Sequence, residues 1–145
     1  MDELSKKVLI VEDDIEYRNA LSAYLSGFGL EISVADDGSA AMEKLLFHMP
    51  KLVILDLMLP KVKGLDFLKH VRDYPDQNVS STLVVVLTNF ASQEEMQAAQ
   101  SLGIEAYLLK SQNNFGEILK VVQDKMFKGD LPRNYGIEDF RRPQI

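Results

Sequence analysis

Five short apolar runs punctuate the chain, at residues 8–11, 30–34, 52–55, 83–87 and 106–109. They are mostly Val, Ile and Leu, and apart from 30–34 they lack polar alternation, the pattern of strands buried on both faces rather than one. Between them apolar residues recur three and four positions apart: Tyr17, Leu21, Leu25 and Phe28 in one segment, Phe115, Ile118, Leu119, Val122 and Met126 in another. That spacing predicts helices with one buried face. The end signals agree, because Ser92 with Glu95 and Asn114 with Glu117 fit the reciprocal capping pattern, and Gly29 and Gly103 are placed to close the helices before them. Strand and helix therefore alternate, and parallel strands joined by right-handed crossovers need helices on both sides of the sheet. The prediction is a five-stranded α/β sandwich.

A chain of 145 residues, 46% of them hydrophobic, is the size of one domain with one core. No apolar run approaches the ~18 residues of a membrane span and the first residues are acidic, so a membrane segment and a signal peptide are disfavoured and a cytoplasmic protein is expected. The absence of Cys excludes disulfides, thiolate metal sites and a Cys nucleophile. His48 and His70, the only imidazoles, sit in helical patterns and read as surface residues, which makes zinc chemistry improbable. A net charge of -6 repels a phosphate backbone and disfavours direct nucleic-acid binding.

Four of the five runs end at a polar residue: Val11 is followed by Glu12, Asp13 and Asp14, Leu55 by Asp56, Leu87 by Thr88, and Leu109 by Lys110. In an open parallel sheet the carboxyl ends of the strands share one edge, where ligands bind, so these residues are expected to converge. Four acids and one lysine in a small volume need a counterion, and a hard cation with oxygen ligands, Mg²⁺, suits them. A carboxylate beside such a metal can serve as a nucleophile toward phosphorus. Asp56, the lone acid of the central run, suits that role, with Lys110 and the Thr88 hydroxyl placed to bind phosphoryl oxygens. Structural readings compete with these. Asp13, with Glu16 three residues on, fits a helix capping box, and Asp14 fits a simple cap as well as it fits the metal shell. Thr88 taken alone is also a β-branched strand end, Lys110 a solvated lysine and Tyr107 a core aromatic.

Taken in order, these residues resemble the receiver domain of two-component response regulators. The likeness rests on Val8-Leu-Ile-Val-Glu12-Asp13-Asp14, on Leu55-Asp56-Leu57-Met58-Leu59-Pro60 followed by Gly64, on Leu87-Thr88 and on Tyr107-Leu-Leu-Lys110. It spans about residues 6 to 127, and separations of 43, 32 and 22 residues divide Asp13, Asp56, Thr88 and Lys110. The resemblance implies a flavodoxin-like doubly wound sheet of order 2-1-3-4-5 with five helices. The receiver domain is expected over 1–127, whereas residues 128–145 lack a strong helical pattern and read as a tail, mobile or, through Arg133, Arg141 and Arg142 with Tyr135 and Phe140, partner-docking. The resemblance implies that Asp56 accepts phosphate from phosphohistidine on a sensor histidine kinase or a histidine phosphotransfer protein. It further implies Mg²⁺ held by Glu12, Asp13, Asp56 and the Met58 carbonyl, and Thr88 and Lys110 on the phosphoryl group. Thr88 and Tyr107 would then report that state on the face of the fourth helix, fifth strand and fifth helix, through which family members also dimerise. Such proteins turn over no conventional substrate and only assist their own phosphorylation and dephosphorylation.

Two positions depart from the family pattern. Ser111 follows Lys110 where a proline is usual, and Asn89 then Phe90 follow Thr88 where a small residue is usual. They favour, as the alternative, a phosphorylation-independent interaction module on the same scaffold. A flavodoxin-like cofactor binder would need a Ser, Thr and Gly-rich first loop in place of the acidic one. An aspartyl phosphohydrolase would need a second Asp where Met58 stands.

Overall fold

Along the first strand Val8 and Ile10 face one side of the sheet and Leu9 and Val11 the other, and all four are buried. Burial on both sides is what the unbroken apolar runs require, and it fixes a three-layer architecture. The computed structural model describes residues 5–89 and 92–127. The elements run β1 Lys7–Val11, α1 Ile15–Ser26, β2 Glu31–Ala35, α2 Gly38–His48, β3 Leu52–Leu55, α3 Gly64–Asp73, α4 Gln77–Ser80, β4 Leu83–Thr88, α5 Gln93–Ser101, β5 Ala106–Leu109 and α6 Phe115–Phe127. All strand pairs are parallel, in the order β2-β1-β3-β4-β5. The expected doubly wound topology is therefore the observed one.

The sheet divides the core in two. On one side Leu21 and Leu25 of α1 and Ile118, Leu119 and Val122 of α6 cover Val8, Ile10, Ile54, Val85 and Leu87. On the other, Leu45 of α2 and Phe67, Leu68 and Val71 of α3 cover Leu9, Val11, Val53, Leu55 and Val86, with Ala99 of α5 in the same cluster. At roughly 1.5–3 kcal/mol for each fully buried Leu, Val or Phe, these layers are the main force holding the strand ends in line.

The five expected helices are present, and one further element, α4, is a single turn. Four residues are too few to show a helical period; Asp76 starts the turn by accepting the Asn78 N–H at 2.9 Å. A 3₁₀ turn, Lys110–Gln112, follows β5. Caps act where the sequence placed them. The Ser92 hydroxyl accepts the Glu95 N–H, and Asn114 and Glu117 bond each other's N–H groups at 2.8 Å. Gly29 and Gly103 take φ of 91° and 87° just beyond α1 and α5, a conformation that costs a side-chain-bearing residue energy. The N-cap of α1 is Asp14 rather than Asp13, since its carboxylate accepts the Tyr17 N–H at 3.2 Å. Expectations for Phe90 and for the tail at 128–145, with Arg133, Tyr135, Phe140, Arg141 and Arg142, lie outside the described residues. Among the described residues no helix is long and apolar enough to cross a membrane.

Candidate functional site

The parallel register carries the site residues to one edge. Val11 pairs with Ala35 and Leu55, and the ladder runs one residue further, the Glu12 and Asp56 N–H groups donating to the Ala35 and Val11 carbonyls at 2.9 and 3.1 Å. Thr88 pairs with Leu109, so Lys110 leaves the sheet beside it. Four segments remote in sequence thus deliver Glu12, Asp56, Thr88 and Lys110 to adjacent strand tips.

The side chains meet there. The Thr88 hydroxyl donates to Asp56 Oδ1 at 3.0 Å and the Lys110 ammonium donates to Asp56 Oδ2 at 3.1 Å. Lys110 also pairs with Glu12 Oε1. The Met58 N–H donates to Asp56 Oδ1 at 3.0 Å and the Asp14 N–H to Glu12 Oε2 at 3.0 Å. Glu12 and Asp56 are only 3% and 4% exposed, whereas Asp13 is exposed at the rim. Removal from water would be costly for two carboxylates, and the shared lysine with two backbone N–H groups offsets much of it. Burial lifts the Glu12 carboxyl above its usual range, and the Lys110 and Asp14 bonds offset that only in part. Burial acts to lower the Lys110 ammonium, but the Glu12 hydrogen bond and the charges of Asp56 and Glu12 outweigh it and hold it above its ordinary value.

The loop that presents Asp56 turns on a glycine. A Cβ on Gly64 would lie 2.5 Å from the Leu57 Cα and 2.7 Å from the Asp56 carbonyl oxygen, so only glycine lets α3 begin against the Asp56 backbone. Met58, in the same loop, is 54% exposed, and a cavity of about 300 Å³ beside it is lined by Asp13, Leu57, Met58, Pro60, Lys63 and Glu95.

Carboxylate oxygens of Glu12, Asp13 and Asp56 lie within 4.8 Å of one another. Three hard oxygen donors, carrying more negative charge than one lysine balances, suit a hard divalent cation such as Mg²⁺ and not a thiophilic metal. Asp14 is outside this group and is spent on the helix cap. Tyr107 lies opposite Val86 in the ladder, packed against the α2–α3 side of the core; its hydroxyl is buried without a hydrogen-bond partner, and burial with the charges of Glu95 and Asp56 raises the phenol. His48 is partly buried, His70 is exposed, and neither is among these acids. Ser111 and Asn89 are exposed, and no cis peptide occurs among the described residues, yet Lys110 reaches Asp56.

Comparison with known proteins adds a family. A family model, the response regulator receiver domain, matches residues 8–123. The chain belongs to this family. As a receiver domain of two-component signalling it is 33% identical over 119 residues to the Regulator of RpoS of Escherichia coli, a match covering 82% of this chain and 34% of that protein. The chain thus spans about a third of the length of the curated relatives that head the comparison. Among solved structures, the receiver resembles the chemotaxis protein CheY4 of Vibrio cholerae with 31% identity and a TM-score of 0.75, covering 82% of this chain and 97% of that one. It resembles the Mn²⁺-bound form of the response regulator Rcp1 with 28% identity and a TM-score of 0.71, covering 88% and 99%. Aspartyl phosphorylation and Mg²⁺ are standard in this family.

One residue at the receiver's site escaped the sequence reading. The Lys110 ammonium sits 4.5 Å from the centroid of the Tyr17 ring. Tyr17 reads in sequence as one position of a helix's buried face, and nothing local marks it as a neighbour of Lys110.

Proposed function

We propose that this receiver accepts a phosphoryl group on Asp56 from phosphohistidine of a sensor histidine kinase or histidine phosphotransfer protein, with Mg²⁺ as cofactor. The observation that carries the reading is the buried Asp56 carboxylate, held by Thr88 and Lys110 beside two further acids. A carboxylate oxygen of Asp56 forms the new O–P bond as the N–P bond of the donor breaks, and the leaving imidazole takes up a proton. Lys110 and Thr88 already point at the two Asp56 oxygens, and they pass to phosphoryl oxygens as charge builds there. Glu12, Asp13, Asp56 and the Met58 carbonyl would hold the metal, which when bound would neutralise charge on the transferring group. The existence of a Mn²⁺-bound form of the similar response regulator Rcp1 supports divalent-cation binding by this receiver.

Departure of the Thr88 hydroxyl from Asp56 frees space on the Tyr107 side of the sheet, and these two residues form the switch. The readout is a protein contact, including pairing of two copies through α5, β5 and α6, the fourth helix, fifth strand and fifth helix of the sequence expectation. The receiver occupies residues 1–127 and works in the cytoplasm. Incubation with acetyl phosphate or beryllium fluoride, with and without Mg²⁺, tests the reading by intact mass and NMR. A Mg²⁺-dependent adduct or shift in the wild type, lost in Asp56→Ala, is expected; no response from the wild type would refute it.

A further inference from the structure

Glu12 is committed twice. Its carboxylate pairs with Lys110, and it also belongs to the acids that lie close enough to share one cation. A divalent ion held there would draw on the Glu12 carboxylate that Lys110 now pairs with, and a phosphoryl group on Asp56 would take up the other carboxylate contact. The face of Tyr17, 4.5 Å from the ammonium, is the neighbour that neither event takes away.

The ring is itself held from two helices. It meets Phe115, the first residue of α6, edge-to-face at 5.6 Å and 77°, and Phe115 also packs on Tyr24, two turns further along α1. The Tyr17 hydroxyl is buried and has no hydrogen-bond partner, so ring packing and not a hydroxyl anchor sets its position. Aromatic faces attract ammonium groups without neutralising them. A third carboxylate in this place would compete for the metal and cancel the charge that a phosphoryl oxygen needs.

We propose that Tyr17 is a positioning residue for Lys110, its ring keeping the ammonium aimed at Asp56 when Glu12 turns to the metal. The inference rests on Asp56 being the phosphoryl acceptor. The test compares full-length wild type, Tyr17→Phe and Tyr17→Leu, with Tyr17→Met as the substitute if the Leu variant does not fold. The first readout is the NMR shift of the Lys110 ε-methylene protons in metal-free protein, where ring current moves them upfield in wild type and Tyr17→Phe but not in Tyr17→Leu. The second is the midpoint of a beryllium fluoride titration in saturating Mg²⁺. Tyr17→Phe should stay within about twofold of wild type and Tyr17→Leu should weaken about tenfold, the scale of one desolvated cation–π contact. A Leu variant that binds as well as wild type overturns the proposal, and so does a Phe variant as weak as Leu, which would assign the effect to the hydroxyl. No beryllium fluoride response from the wild type instead overturns the acceptor reading, and the first readout still decides the Tyr17–Lys110 contact.

Discussion

Replacing Lys110 by Met removes the one ammonium that lies between two nearly buried carboxylates, Glu12 and Asp56, while keeping most of its apolar stem. Deleting one partner of a buried ion pair costs roughly 3–5 kcal/mol. A ceiling applies, because one carboxyl can take up a proton instead; for a carboxyl of ordinary acidity that costs ~3.7 kcal/mol at neutral pH. The expected loss at pH 7 is therefore about 3 kcal/mol, equivalent to a fall in Tm of roughly 10 °C for a domain of this size. The ceiling drops by ~1.4 kcal/mol for each pH unit, so the variant should approach wild type on acidification. In the wild type, the raised Glu12 carboxyl stabilises the fold fully below its unfolded value, and that contribution is lost as pH rises through its folded value. Metal-free wild type should thus also gain from acidification, though less steeply than the variant. The raised Lys110 ammonium acts at the other end: its contribution is complete at neutral pH and is lost only as pH climbs through its folded value. Urea unfolding in EDTA between pH 5 and pH 8 measures both curves. Added Mg²⁺ should then stabilise Lys110→Met more than wild type, because a divalent ion replaces the missing charge. A variant as stable as wild type at pH 7, or a deficit that does not change with pH, would refute the reasoning.

Substitutions at two further positions test the scaffold, one beside the site and one at the opposite edge of the sheet. Asp14→Ala removes the cap of α1 and should cost about 1 kcal/mol in denaturant unfolding while leaving Mg²⁺ affinity within about twofold of wild type, and a larger loss of affinity would return Asp14 to the metal shell. Arg72→Met should cost about 3 kcal/mol, since the guanidinium donates to the carbonyls of Ser80, Thr82, Leu102 and Gly103 at 2.7 to 2.9 Å and ties α3 to the ends of α4 and α5. Arg72→Lys should rescue little of it, because one ammonium does not reproduce the planar fork, and a lysine variant with wild-type Tm would count against the clamp.

The sheet was legible because an apolar run without alternation has one stable solution, burial on both faces. The edge of the site was legible for a related reason. Glu12, Asp56 and Lys110 each follow the last residue of an apolar run, and parallel register turns that shared position in sequence into a shared place in space. Strand limits were blurred by one residue, since Leu30 is buried while the ladder begins at Glu31, whose N–H donates to the Lys6 carbonyl. The choice between Asp13 and Asp14 as helix cap was not legible, because both acids suit the role and the decision belongs to the sheet. Glu12 still donates to Ala35, so the chain is free to turn only afterwards, which leaves Asp13 at the rim and sets Asp14 against the first turn of α1. Tyr17 lay further out of reach. Its meaning depends on a lysine at the end of the fifth strand, a pairing created by the fold and absent from any local pattern. An aromatic in the first turn of a helix is ordinary core material until another strand tip delivers a cation over its face.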